Sequence, residues 1–214
     1  MPLDIKSAIE SADIESLKRL LAEDPSRADA LITWGDQSQI HTHPLHYISD
    51  LLFEGKLEKG KELPLVHALI RAGADLNFQR DGKGDTPLIG AASLGAQDVG
   101  IALIDAGANP AILGIFAETA LHWAALLGED RLASQLIAVS NPHLLNLEDG
   151  EYKSPPLGWA IHGRQNPPKG NQGKQCEVAA LLVNAGAIVE PARLESAAVL
   201  SDPPMLAALR GRSA

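Results

Sequence analysis

Residues 86–109 read TPLIGAASLGAQDVGIALIDAGAN, and residues 119–137 read TALHWAALLGEDRLASQLI. Set beside HPLHYIS from His43 and PPLGWAI from Pro155, they show one register of leucine and small residues occurring four times. Each string is followed by a second with two apolar pairs four residues apart, usually closed by Gly-Ala: LVHALIRAGA from Leu65, VGIALIDAGA from Val99, LASQLIAVSN from Leu132 and VAALLVNAGA from Val178. Self-similarity at this spacing decides the architecture before any local propensity does.

Both strings make sense as short helices. Leu88, Ala91 and Ala92 stand at i, i+3 and i+4, as do Leu121, Ala124 and Ala125, which puts leucine and alanine on one face and lets a neighbouring helix come close. Pro44, Pro87 and Pro156 suit the first helical turn, where the missing N–H has no intrahelical partner. Gly73, Gly107 and Gly186 follow the second string, where a left-handed residue closes a helix. Asp81-Gly82 and Asp149-Gly150 fall between repeats, where tight reversing turns are expected. Neither helix can bury its face alone, and stacking on like neighbours solves that problem.

The Thr-Pro-Leu-His-x-Ala pattern resembles the ankyrin repeat, most strongly from about Asp81 to Asn141 and traceably from Leu3 to Arg212. The resemblance implies an all-α, ankyrin-type helical repeat solenoid with short turn or hairpin tips and about ten to twelve helices. It implies a single domain over 1–214: an N-terminal capping repeat at 3–30, repeats at 31–76, 77–109, 110–143 and 144–186, and a C-terminal cap at 187–212. In the cap, Pro191 and the Ser201–Pro204 run start two last short helices, the second capped by Ser201 or Asp202. From the first signature position to the closing glycine, Thr86 to Gly107 is 21 residues, whereas His43 to Gly73 is 30 and Pro155 to Gly186 is 31. The extra length falls between the two helices, around 52–63 and 163–174. Such loops are tolerated cheaply, since closure entropy grows only logarithmically; repeated insertion on one side also extends a binding face. Both readings stay open.

Chemistry finds little purchase. Seven histidines invite a metal reading, and His41, His43 and His46 crowd one segment. The resemblance gives His46 and His122 a structural role, an inter-repeat hydrogen bond to turn backbone. No partner set at zinc spacing completes a site, so no metal and no cofactor is expected, and a metal-dependent protein using the three histidines is the weaker alternative. Cys176 opens the VAALLV helix and reads as a small buried hydrophobe. GKGD at 82–85 lacks the features of a phosphate loop, there is no Gly-x-Ser-x-Gly or HExxH, and Glu129-Asp130 complements a helix N-terminus. A non-enzymatic chain is expected.

Lysine plus arginine number 18 against 27 aspartate plus glutamate, a formal charge of −9 that disfavours nucleic acid. Through Gly107 the chain carries −7, and after it −2. An acidic inhibitor or immunity-type protein for a basic partner is therefore a second candidate. The start MPLDIKSAIE shows no signal-like pattern, one cysteine allows no internal disulfide, and no apolar run reaches the roughly 18 residues of a membrane span. A cytoplasmic monomer that binds another protein, with no membrane partner, is expected.

Two residues on from each signature leucine stand Tyr47, Gly90, Trp123 and Trp159. Two steps rotate about 200° from the leucine, off the stacking stripe, onto the side that in an ankyrin-like array lines the concave groove. These residues are expected to lie outside the core, with Gly90 leaving a gap that a partner's side chain could enter. Turn tips at Gln79 to Lys83, Ile112 to Phe116 and Gly150 to Lys153 flank them. The expected partner-binding residues are Tyr47, Ile89, Phe116, Trp123, Tyr152 and Trp159; the alternative is that the indoles pack on their neighbours and merely line the groove.

Overall fold

A computed structural model of the chain describes residues 4–35, 40–168 and 173–211. Thirteen α-helices and one two-stranded hairpin occur among them. The chain divides into two compact units, residues 1–109 and 110–214. The division falls where two repeats meet in the sequence, as suits a repeat protein whose contacts are mostly with immediate neighbours. Among the described residues, no helix is long and apolar enough to cross a membrane.

In the first unit, α1 (Ile5–Glu10) and α2 (Ile14–Glu23) begin at Asp4 and Asp13, whose carboxylates accept the N–H of Ser7 at 2.7 Å and Ser16 at 3.0 Å. Each cap satisfies a donor that the first helical turn leaves orphaned. A 3-10 turn at Pro25–Asp29 leads to β1 (Ile32–Trp34), which pairs antiparallel with β2 (Ile40–Thr42). Two helix pairs follow, α3 (Pro44–Phe53) with α4 (Glu62–Arg71), and α5 (Pro87–Ser93) with α6 (Gln97–Asp105). Proline opens α3 and α5 as expected, and Gly73 and Gly107 follow α4 and α6 at φ +91° and +99°. The first insertion is the connection between Phe53 and Glu62, and Leu57 within it is 5% exposed.

In the second unit, α7 (Ala120–Leu127) pairs with α8 (Asp130–Val139), and α9 (Pro156–Gln165) with α10 (Gln175–Asn184). The second insertion joins α9 to α10; its residues 169–172 lie outside the described residues. The cap differs from the sequence expectation, since three short helices occur instead of two: α11 (Pro191–Leu194), α12 (Ala197–Leu200) and α13 (Pro203–Arg210). The extra one, α12, forms because the Ser196 hydroxyl accepts the Val199 N–H at 3.4 Å. Asp202 caps α13 through Met205 N–H at 3.2 Å.

The stacking stripe is as read from the pattern. Leu88, Ala91, Ala92, Leu121, Ala124 and Ala125 are all buried, as are the paired residues Val99 and Leu103, Leu132 and Leu136, Val178 and Leu182 on the second helices. A recurrent clip fixes the spacing of the turns: Asp29 Oδ1 accepts Asp75 N–H at 2.7 Å, Asn77 Oδ1 accepts Asn109 N–H at 2.8 Å, and Asn146 Oδ1 accepts Ile188 N–H at 2.8 Å. Each is a short polar side chain satisfying turn backbone about one repeat length further along the chain. A close helix approach is made at Gly163 of α9, where a Cβ would collide with the Leu126 carbonyl of α7.

Candidate binding surface

The aromatic positions share a register but not a fate. Tyr47 is 1% exposed, its hydroxyl donating to Glu10 Oε1 at 2.6 Å and its ring 5.4 Å from Trp34. Ile89 is likewise 1% exposed. Trp159 is 6% exposed, and its indole N–H donates to Asp149 Oδ2 at 3.0 Å. The expectation that Tyr47 and Trp159 lie outside the core is corrected, and Ile89, expected among the partner-binding residues, is buried as well. Rotation away from the leucine stripe does not guarantee solvent, because the hairpin β1–β2 covers Tyr47 and the 149–154 turn folds over Trp159. The gap foreseen at Gly90 is also filled. The His46 imidazole lies on the Gly90 Cα, so that a Cβ there would come within 2.6 Å of Nε2 and 2.7 Å of Nδ1.

What remains accessible gathers in the second unit. Trp123 is half-buried, Phe116 and Tyr152 are exposed, and beside them Leu113 and Ile115 are exposed as well. Two buried carboxylates build this surface. Glu118, without exposure, accepts the Phe116 N–H at 2.8 Å through Oε2 and the Trp123 indole N–H at 3.0 Å through Oε1, so that one side chain fixes both turn and ring. Asp149 accepts four donors: Tyr152 N–H at 2.6 Å, Glu151 N–H at 2.8 Å, Ser154 N–H at 3.2 Å and the Trp159 indole. Burial alone would raise its carboxyl, but the hydrogen bonds from Trp159 and the turn backbone outweigh it and hold the group below the usual aspartate range. The two tips are joined by Gly150 N–H donating to the Phe116 carbonyl at 2.6 Å. The rings make a cluster around Trp159, with Trp123 at 5.0 Å and 82° and Tyr152 at 6.1 Å and 75°.

Four of the seven histidines are engaged as follows. His41 Nδ1 meets Thr33 Oγ1 at 3.0 Å. His43 is buried, accepts Leu45 N–H at Nδ1, donates from Nε2 to Asp29 at 2.9 Å and stacks on Phe78. His122 behaves as the repeat pattern implies: Nδ1 accepts the Thr119 N–H at 3.1 Å and Nε2–H donates to the Leu147 carbonyl at 3.0 Å. His46 departs from it, lying on Gly90 with Nε2 3.9 Å from Asp50; burial, with His43 nearby, lowers it to about 4. Among the described residues, no three histidine, cysteine, aspartate or glutamate side chains converge on a metal position. Cys176 is half-buried where a buried thiol was expected, because it occupies the first turn of α10; burial still raises its thiol against the opposing effect of Arg164.

Glu118 and Asp149 were not legible as site residues. The signal for Glu118 lay in position, directly before a signature string that carries a tryptophan; Asp149 stands farther from the string at Pro155 and reads in sequence only as half of an Asp-Gly turn.

Residues 56–149 match the family model described as ankyrin repeats (3 copies). A search of curated proteins gave no match. The match runs from within the first insertion to the Asp149 turn, so residues 56–149 consist of ankyrin repeats, and the helix pairs, proline starts and glycine stops on either side carry the same pattern.

Proposed function

We propose that the chain is a non-enzymatic binding module that holds a partner protein through the turn tips of its second unit and the first-helix face beside them, acting as a monomer. Ankyrin repeats are in general protein–protein interaction modules, which supplies the class of activity. The observation that carries the placement is the exposure of Ile115 at 62% and Tyr152 at 69%, on tips that buried Glu118 and Asp149 hold rigid. Apolar side chains held in one geometry lose little freedom on binding and make good anchors. Trp123 stands beside them, and buried Trp159 packs against both the Trp123 and Tyr152 rings.

The test is selection of ligands from a displayed library against the whole chain, followed by competition with Ile115→Ser, Phe116→Ser and Tyr152→Ala. Ligands whose binding falls tenfold or more, about 1.4 kcal/mol, with at least two of the three variants support the placement. Ligands indifferent to all three refute it.

A second reading, an acidic inhibitor for a basic partner, draws on the first unit. There Asp50 of α3 and Glu54 just after its end lie within mutual influence, and burial together with Glu54 raises the Asp50 carboxyl to about 7. Binding that needs Asp50 and Glu54 but not Tyr152 would favour it.

A further inference from the structure

The exposed Tyr152 ring and the half-buried Trp123 indole sit at an unusual electrostatic position. The Trp123 indole N–H is hydrogen-bonded to a fully buried carboxylate, Glu118, and that of its neighbour Trp159 to Asp149. A carboxylate at the N–H edge pushes electron density into the ring and makes its faces more negative than those of a free indole. The segment 148–153 adds exposed Glu148 and Glu151 around Tyr152. Lys153 is the one cation in that segment, and its ammonium is engaged by the Gly150 carbonyl at 2.8 Å. On the flank, exposed Leu113 and Ile115 offer an apolar shelf.

We infer that this surface, read above as the protein-binding face, takes an arginine side chain of the partner, with the guanidinium against the exposed Tyr152 ring and the accessible part of the Trp123 indole, both packed on Trp159, and the stem along Leu113 and Ile115. Arginine fits better than lysine because its planar, weakly hydrated head stacks on an aromatic face, while its aliphatic stem covers apolar surface. Phosphate or carboxylate ligands are disfavoured by Glu118, Asp149, Glu148 and Glu151 in the same place. The local acids Glu148 and Glu151, both exposed, draw a basic side chain toward it.

The inference rests on the proposed function, and the experiment separates the two. The probes are three Gly/Ser decapeptides carrying two arginines, two citrullines or two leucines, titrated into the 15N-labelled full chain. The readout is the indole N–H resonances, assigned with Trp123→Phe and Trp159→Phe. The arginine peptide should shift the Trp123 indole in a salt-dependent way, and the citrulline peptide should bind at least about threefold more weakly. Tyr152→Ala, at an exposed ring that folding does not need, should weaken the arginine peptide by about three- to fivefold with the remaining spectrum preserved. Equal binding of arginine and citrulline peptides overturns the inference, as does an unchanged Tyr152→Ala. If only the leucine peptide perturbs residues 112–118 and 149–154, the arginine assignment falls and the binding face stands. If no peptide perturbs them, the arginine assignment also falls, while the face itself is judged by the display selection.

Discussion

Replacing Gly163 by alanine sets intrinsic helix propensity against packing, and the two give opposite signs. Gly163 lies within α9, where alanine should stabilise the helix by about 1 kcal/mol. Its added methyl, however, would meet the Leu126 carbonyl of α7, standing 2.9 Å from the carbonyl carbon and 3.1 Å from the Leu126 Cα, with the oxygen nearer still. Comfortable contacts begin at about 3.5 Å, and the obstacle is backbone, so α7 and α9 must part. Overpacking of that kind costs about 1–3 kcal/mol. The same Leu126 oxygen accepts Gln175 Nε2 at 3.1 Å, and loss of that bond adds about 1–3 kcal/mol. Net destabilisation of about 2 kcal/mol or more is expected once the propensity gain is set against it. Urea unfolding of wild type and Gly163→Ala, followed by far-ultraviolet circular dichroism and by tryptophan fluorescence, measures it. A variant as stable as wild type, or more stable, refutes the close approach of α7 and α9.

Three further outcomes are expected. Trp159→Ala should cost about 3–5 kcal/mol in the same urea assay, as truncation of a buried indole does, whereas Tyr152→Ala should cost less than about 1 kcal/mol because the ring is exposed; similar costs for both would contradict the burial pattern. Glu129 is 7% exposed, neither of its carboxylate oxygens is hydrogen-bonded among the described residues, and burial raises its pKa from 4.5 to about 8. A raised folded value means that the proton is held more tightly in the fold, so its contribution is full below about pH 4.5 and is lost as pH rises toward 8. Glu129→Gln should flatten that decline, and identical pH profiles of the two proteins would show that the carboxyl is not buried. The comparison isolates it from His43, His46 and His122, whose lowered values act in the opposite direction as pH falls below about 6.5. Finally, Cys176 should react with a thiol reagent at pH 8 more slowly in the native chain than in denaturant, since burial raises its thiol; equal rates would place it in solvent.

The periodic parts of the fold were legible because periodicity has a local cause. Leucine and alanine at i, i+3 and i+4, proline at the first turn and glycine after the last are requirements of each helix pair, and Leu88, Pro87 and Gly107 fulfil them where the pattern placed them. The cap was less legible, since Ser196 starts α12 through a single side-chain hydrogen bond in a stretch with no repeat to compare. Burial of the aromatic row was not legible at all. It depends on what folds over each ring: the hairpin above Tyr47, the Asp149 turn above Trp159, and the His46 imidazole on Gly90. These are contacts between segments whose separation in sequence carries no periodic signal. The carboxylates that hold the surface, Glu118 and Asp149, escaped notice for the same reason, because a buried acid is recognised by its donors rather than by its neighbours in the chain.

The central claim is that partners are held at the tips of the second unit, and hydrogen–deuterium exchange of the chain with and without a display-selected ligand tests it most directly. The account expects new protection at residues 112–118 and 149–154, with residues 54–61 of the first insertion unchanged. Protection confined to the first insertion or to the first unit, with exchange at both tips unaltered, would contradict it.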